Sequence, residues 1–582
     1  PAGGPYTLRV EDGKTSVNFK DVLFGEVWLC SGQSNMFYSP AMLGKPETDS
    51  AWLHHPAVRL FTVQVGLDCL PAKDVQGGHW ERVDPQNVQH FSAVAWYFGT
   101  YLQSHLDVPV GLIHASMGAT AIETWMPAAS LDTFPAFQEQ VRAMTGPGKD
   151  FAQLRAELDS FRLTWDTAHY LKDDPGLSEK WYLPETADTD WMEMDLPGLW
   201  ENAGLPDYDG SVWFRRYFNR PSLADGESLR IALNQIDDHD ITWVNGVKVG
   251  ESFGNRNWRN YVVPGGLLRD RNNVITVRVF DTGGKGGMYT NPFWGNPILN
   301  GKWKYKPGRR IDSASFPRPV VPNGSLFTHP TLLFNANIAP LAPYAIRGAI
   351  WYQGESNCER AAEYSRLLPA MIRGWRACWG QGDFPFLVVQ LANHHAVADE
   401  PGESTWAELR EAQYLATKDL PGVGLATAVD IGDADDIHPV DKRTVGVRLG
   451  HVARALAYGE PGVPTSPVWQ ALRREGDRLR LSFDAGGGRL VSRNKHGFVN
   501  GFEVAAADGK FHWALAYLDS GGEVIVWAPA LANPEHVRYA WSDNPGSLDL
   551  FNEHGWPALP FRTDGRPLST EGKHFLFDEN GF

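Results

Sequence analysis

Four short segments of this 582-residue chain carry side chains that could do chemistry together. They are Ser31-Gly32-Gln33-Ser34-Asn35, Ser116-Met117-Gly118-Ala119-Thr120, Gln353-Gly354-Glu355-Ser356-Asn357 and Asp433-Ala434-Asp435-Asp436-Ile437-His438. Between them they offer a hydroxyl on Ser34, an imidazole on His438, and carboxylates on Glu355, Asp435 and Asp436. They also offer side-chain amides on Gln353 and Asn357 and a bare backbone at Gly118. Acyl transfer needs this set: a nucleophile, a base, a group that orients the base, and N–H donors for an oxyanion. Each segment alone has a plainer reading. SGQSN is an ordinary turn with an N-cap, a single histidine is usually structural, and surplus acids belong to turns and helix starts. The four have to meet for the chemistry to exist.

The flanking sequence predicts that they do. Val27-Trp28-Leu29 is a buried strand that stops at Ser31, and the chain then turns into a helix whose first N–H groups favour negative charge. Residues 108–113, 347–352, 384–391 and 424–429 are further apolar runs. Helical spacing separates them at 91–106, 359–379, 406–418 and 442–458. Alternating strand and helix is the signature of an α/β fold with a parallel sheet. Ligands in such folds gather outside the carboxyl ends of the strands. All four segments follow strands, so a parallel sheet puts them on one edge.

The rest of the chain reads differently. Residues 1–25 alternate apolar and polar around Asp12-Gly13, a hairpin too small to stand alone. From 181 to about 305 short strands alternate with Gly, Asn and Pro turns, as in a β-sandwich. Residues 461–582 are again strand-like. The expected organisation is terminal β-strands in 1–25, an α/β domain in 26–180 and 306–460, an inserted β-sandwich in 181–305, and a C-terminal β-domain. Trp258, Tyr289 and Trp294 fall in loop-like stretches and could stack on sugar rings. Asp237-Asp238-Asp240 lacks the full pattern of a calcium loop. His394-His395 follows the run 384–391; the pair suits a loop or a substrate cleft, and adjacent side chains diverge too far for a zinc pair.

Composition narrows the partners. Net charge is −16 with no basic stripe, against nucleic acid. No apolar run approaches a membrane span. The 23 tryptophans exceed ordinary usage, which suits sugar handling as well as β-domain cores. Cys30, Cys69, Cys358 and Cys378 have no metal spacing and make no disulfide framework, although one pair could bridge in an oxidising compartment. The chain opens on Pro1 rather than Met, which points to a processed start.

GQSNM, the Met-Gly-Ala-Thr and Glu-Thr-Trp turn, WYQGESN and DIGDADDIHPVDK, in that order, resemble the SGNH hydrolases. Within them they are closest to the sialate O-acetylesterases and their bacterial polysaccharide-acetylesterase relatives. The resemblance implies a three-layer α/β/α domain and a serine esterase that needs no cofactor and no metal. It implies Ser34 as nucleophile and His438 as base, with an oxyanion hole from the Ser34 and Gly118 N–H groups and an amide of Asn357 or Gln353. For the acid behind His438 the superfamily spacing implies Asp435, with Asp436 and Glu355 as alternates. The family turn has Gly-Gly-Thr where this chain has Gly118-Ala119-Thr120. Residues 181–303 resemble the galactose-binding-like jelly-roll of β-galactosidases and glucuronidases, through GSVWFRR, DDHD and WVNG. The implied substrate is an acetylated cell-wall polysaccharide or oligosaccharide of xyloglucan or xylan type, met in the periplasm or outside the cell. Sialate is the alternative, and a sugar-binding protein with a dead esterase core is the rival of another class. A glycosidase, suggested only by the jelly-roll, would need two carboxylates flanking a sugar.

Overall fold

A computed structural model describes residues 2–44, 53–146, 148–221, 226–254, 258–289, 297–317 and 326–576. The expected sugar-stacking residue Trp294 lies outside them. The chain divides into two compact units, 1–151 with 326–577, and 152–325. It is a mixed α/β protein with several sheets.

The first unit is built on a seven-stranded sheet. Its strands are β1 (Glu26–Gly32), β2 (Val58–Thr62), β3 (Glu81–Arg82), β4 (Val110–Ser116), β5 (Gly348–Tyr352), β6 (Phe386–Gln390) and β7 (Val423–Thr427), in the spatial order 7-6-5-1-4-2-3. All neighbours are parallel except β2 and β3. The residues of β5 and β6 are buried throughout. Strands covered on both faces read as continuous apolar runs rather than alternating ones, as the sequence does here. The chain goes from β1 to one side of the sheet and later returns to the other. The strand order therefore switches beside β1.

Helices cover the sheet. They include α1 (Ser34–Phe37), α2 (Ala93–Leu106), α3 (Ala361–Trp379), α4 (Thr405–Asp419) and α5 (Lys442–Tyr458). Trp28 of β1 packs edge-on against Phe98 of α2, ring centroids 5.0 Å apart, and its indole N–H donates to Tyr458 of α5. Trp351 of β5 packs against Trp375 of α3 at 5.7 Å. Local chemistry sets the ends: Ser92 caps α2 by accepting from Ala95 N–H, and Asp441 caps α5 by accepting from Thr444 N–H. Gly380 and Gly459 end α3 and α5 in the left-handed region. Phe334–Ile338 forms a single π-type turn.

The hairpin Gly3–Glu11 and Ser16–Phe24 forms a two-stranded sheet of its own, which no other described strand joins. From Val468 onward the chain is antiparallel β, with a core that includes Leu479, Leu481, Val504, Val524 and Tyr539. All four cysteines are unpaired, and Cys378 alone of them is exposed.

The second unit holds a six-stranded and a four-stranded antiparallel sheet. Trp200, Phe214, Ile231, Leu233, Val277 and Trp303 belong to its main core. A second cluster gathers Trp181, Trp191, Trp213 and Trp243, so these tryptophans fill cores. Trp258 stands half exposed, at the start of a strand rather than in a loop.

Candidate active site

The carboxyl ends of β1, β4 and β5 finish at one level. In the register, Gly32 pairs with Ser116 on one side and Tyr352 on the other. The residues that follow each strand therefore start from a common line. Gln33 N–H still bonds to Tyr352 carbonyl at 3.0 Å, and Met117 N–H to Gly32 carbonyl at 3.2 Å. Gly32 has φ +144°, and a Cβ there would lie 2.1 Å from the Tyr352 oxygen. Only glycine permits this close approach, and it lets the chain leave the sheet directly into α1 with Ser34 as its first residue.

Ser34 Oγ lies 3.0 Å from His438 Nε2. Chain separation between them is 404 residues. The other ring nitrogen, Nδ1, lies 3.1 Å from Asp436 Oδ1, which also accepts the backbone N–H of His438 at 2.8 Å. The Asp436 side chain is 59% exposed and that of His438 21%. Burial pushes the His438 pKa down and outweighs the opposing pull of Asp436; Lys442 also lowers it. With Nδ1–H donated to Asp436, the Nε2 lone pair is left to accept the Ser34 proton.

Asp435, the acid implied by superfamily spacing, does not reach the imidazole. It is exposed, and its N–H donates to Asp433 Oδ1 at 2.9 Å within a tight turn. The carboxylate that contacts the ring is Asp436, two residues before the histidine rather than three. Glu355 is not the partner of His438 either. Its Oε1 accepts from Asn35 Nδ2 at 2.5 Å, while its buried Oε2 has no hydrogen-bond partner.

Gly118 sits against the nucleophile: a Cβ built there would lie 3.6 Å from Ser34 Cβ. Ala119, in the place of a family glycine, adopts φ +57°, a left-handed conformation that costs an alanine about 1 kcal/mol.

Of the two expected amides, Gln353 is engaged elsewhere through both N–H groups and Asn357 through one. Gln353 Nε2 donates to Thr120 carbonyl at 3.2 Å and to Asn357 Oδ1 at 2.7 Å. Asn357 Nδ2 donates to Glu123 Oε2 at 3.1 Å, and its Oδ1 also accepts Ile122 N–H. Together they lock the loop after β4 to the loop after β5. Both N–H groups of Gln353 are used, so this conformation leaves it no donor for an oxyanion.

His394 and His395 lie beside the acidic turn, where His395 N–H bonds to Ala434 carbonyl and His394 Nδ1 lies 3.2 Å from Asp433 carbonyl. They brace that loop, and no third ligand accompanies them among the described residues.

Three further residues complete the site. The Tyr38 ring stacks on His438, centroids 4.4 Å apart and planes at 19°. Asn35 bridges three partners: Glu355, Ile437 carbonyl at 3.1 Å, and Lys442 Nζ, which donates to its Oδ1 at 2.5 Å. Lys442 is 1% exposed, and burial pushes its pKa down to about 7. Asn35 and Lys442 stand inside the SGQSN and DIHPVDK segments, which was the available signal. Tyr38 lies outside both, and its ring contact is purely tertiary.

A hydroxyl, an imidazole and a carboxylate in line, beside a glycine turn, can carry out nucleophilic acyl transfer. Comparison with known proteins points the same way. Residues 325–455 match the family model described as carbohydrate esterase, sialic acid-specific acetylesterase. Sialate O-acetylesterase of Rattus norvegicus is 24% identical over 580 residues, spanning 93% of this chain and 78% of the rat protein. A crystal structure of a carbohydrate acetylesterase from Xanthomonas citri is 28% identical with a TM-score of 0.60, covering 97% of this chain and 86% of the other. A β-glucuronidase of Paenibacillus borealis is 30% identical over 86 residues, 14% of each chain. The chain is a carboxylic ester hydrolase, similar over most of its length to sialate and carbohydrate acetylesterases.

Proposed function

We propose that Ser34, His438 and Asp436 form the catalytic triad of a serine O-acetylesterase that deacetylates a poly- or oligosaccharide. The observation that carries this reading is the pair of contacts on one imidazole, 3.0 Å to Ser34 Oγ and 3.1 Å to Asp436 Oδ1. His438 Nε2 takes the proton of Ser34 as Oγ attacks the acetyl carbonyl carbon. Asp436 holds the ring in the right tautomer and stabilises the imidazolium that forms. The tetrahedral oxyanion is received by the backbone N–H groups of Ser34 and Gly118, each donor contributing about 3 kcal/mol in the transition state. The second N–H of Asn357 is the remaining side-chain candidate. The C–O bond to the sugar breaks, and the sugar oxygen leaves with the proton held on His438. Water then gives a proton to His438 and attacks the acetyl-Ser34 ester. Acetate departs and Ser34 regains its proton.

The substrate reading is an acetylated plant cell-wall glycan of xyloglucan or xylan type, encountered in the periplasm or outside the cell. An acetylated sialate is the second reading, supported by the 24% identity to the rat sialate O-acetylesterase. In the same reading the first unit is an SGNH-type α/β/α domain and the segment 181–305 an inserted jelly-roll, with a C-terminal β-domain from 461. Acetate release from acetylated xyloglucan oligosaccharides, acetylated xylan and O-acetylated sialic acid, by wild type and Ser34→Ala, tests the proposal. Loss of the nucleophile should lower kcat by about 10⁴-fold or more on the true substrate. Full activity of Ser34→Ala would reject the triad.

A further inference from the structure

Within the second unit, three carboxylates converge where two strands end. Asp237 closes the strand Leu229–Asp237, Asp238 follows it, and Asp281 closes the strand Asn273–Asp281. One oxygen from each lies within 4.8 Å of the others. No lysine or arginine forms an ion pair with any of the three among the described residues. Arg259, the neighbouring cation, donates instead to Asp240 Oδ1 at 2.9 Å and to the Asp238 carbonyl at 2.7 Å.

A second observation is independent of the crowding. Asp281 is 0% exposed, and its Oδ1 accepts Gly283 N–H at 2.8 Å, yet its Oδ2 has no hydrogen-bond partner. A buried carboxylate oxygen without a donor is costly, and a cation removes that cost. Glu201 also buries an unpartnered oxygen, and with Asp209 it adds negative charge around Asp281. Asp238 is already fixed for the task, because Thr282 donates to its Oδ2 through both N–H, at 3.0 Å, and hydroxyl, at 2.5 Å.

We infer that Asp237, Asp238 and Asp281 form a calcium site. The ligand set is oxygen alone, which suits a hard cation and not zinc or copper. Calcium binds oxygens at about 2.3–2.6 Å, so two ligands on one ion lie at most about 5 Å apart, as here. Magnesium demands shorter bonds in a near-ideal octahedron and prefers to keep its waters. The sequence run Asp237-Asp238-Asp240 hides this arrangement. Asp240 turns away to Arg259, Tyr261 and Thr242, and the third ligand comes from Asp281, in another strand. The strand Leu229–Asp237 lies in the four-stranded sheet, and the next strand, His239–Val244, in the six-stranded one. An ion at this corner pins the chain where it passes from one sheet to the other. Its role is structural.

The test uses the whole protein, stripped with EDTA and then titrated with calcium chloride. Calorimetry should show one ion bound per chain, and calcium at about 100 times its Kd should raise the Tm of the second unit by about 5 °C or more. Asp281→Asn should weaken calcium binding at least about tenfold and cut the shift to about half or less at the same calcium concentration. Asp238→Asn is the second variant, and the wild-type titration stands if neither folds. The inference is overturned if wild type shows no binding heat and the same Tm in calcium as in EDTA. It is also overturned if Tm responds to pH but not to calcium, since the carboxylates would then share a proton. An equal shift with magnesium chloride would overturn the choice of metal.

Discussion

The Tyr38 ring lies flat on the imidazole of His438, 4.4 Å between centroids. Stacking of this kind fixes a ring that the acidic turn alone would leave mobile, and it removes one face of the base from water. Truncation to alanine should therefore act twice. Tyr38→Ala should lower kcat by about 10-fold or more, and raise the apparent pKa of the acidic limb as His438 regains solvent. Tyr38→Phe keeps the ring and should stay within about 3-fold of wild type. A pH–rate profile of the three proteins checks both effects.

Asp436 rather than Asp435 should matter for catalysis. Asp436→Asn should cost about 10²-fold in kcat, less than the loss known for a buried triad acid, because this carboxylate is largely exposed and water takes part of its role. Asp435→Asn should leave kcat within about 2-fold. The sign of the pH effect also follows. Asp436 raises the His438 pKa, so its neutralisation should move the acidic limb further down. In wild type that limb should already lie below the ordinary histidine value, since the base works when neutral and burial favours the neutral form. Equal losses in the two variants would contradict the assignment.

Gly32 and Gly118 border the same serine but should fail in different ways. A Cβ at Gly32 would strike the Tyr352 oxygen at 2.1 Å, so Gly32→Ala should cost about 3 kcal/mol or more, or prevent folding. At Gly118 the added methyl meets only ordinary contact, 3.6 Å from Ser34 Cβ. Gly118→Ala should therefore keep its stability within about 0.5 kcal/mol while losing activity, because the methyl occupies space beside the acyl group. Denaturant unfolding and acetate release on the same samples separate the two outcomes.

Next to Ser34 in the chain, Asn35 links Glu355 to the buried Lys442. Removing one charge leaves the other uncompensated, so Glu355→Gln and Lys442→Met should each destabilise by about 2–4 kcal/mol. The double variant should be less destabilised than the sum, by about 1 kcal/mol or more. Additive losses in urea unfolding would show that the two charges do not interact.

The sheet and its four polar strand ends were legible because their signals are local. Apolar runs mark β1, β4, β5 and β7, and each leads into one of the small or polar segments. That was enough to bring Ser34, Gly118 and His438 together on one edge. Which carboxylate contacts His438 was not legible. It depends on whether the turn after Asp433 presents the second or the third residue before His438, and one internal bond, from Asp435 N–H to Asp433 Oδ1, decides it. The roles of Gln353 and Asn357 were hidden for a similar reason. An amide reads the same in sequence whether it faces a substrate or caps a neighbouring loop, and here both tie loops together. Tyr38 and Asp281 gave no sequence signal, since each acts through a contact made only in three dimensions.

The most direct test of the esterase mechanism is chemical labelling of the nucleophile. Wild type treated with a fluorophosphonate, digested and mapped by mass spectrometry should carry a single adduct on Ser34, with acetate release lost in proportion to labelling. His438→Ala should label more slowly by about 10³-fold or more, because the serine loses its base. An adduct on any other residue that tracks the loss of activity, or full acetate release from fully labelled enzyme, would contradict the account.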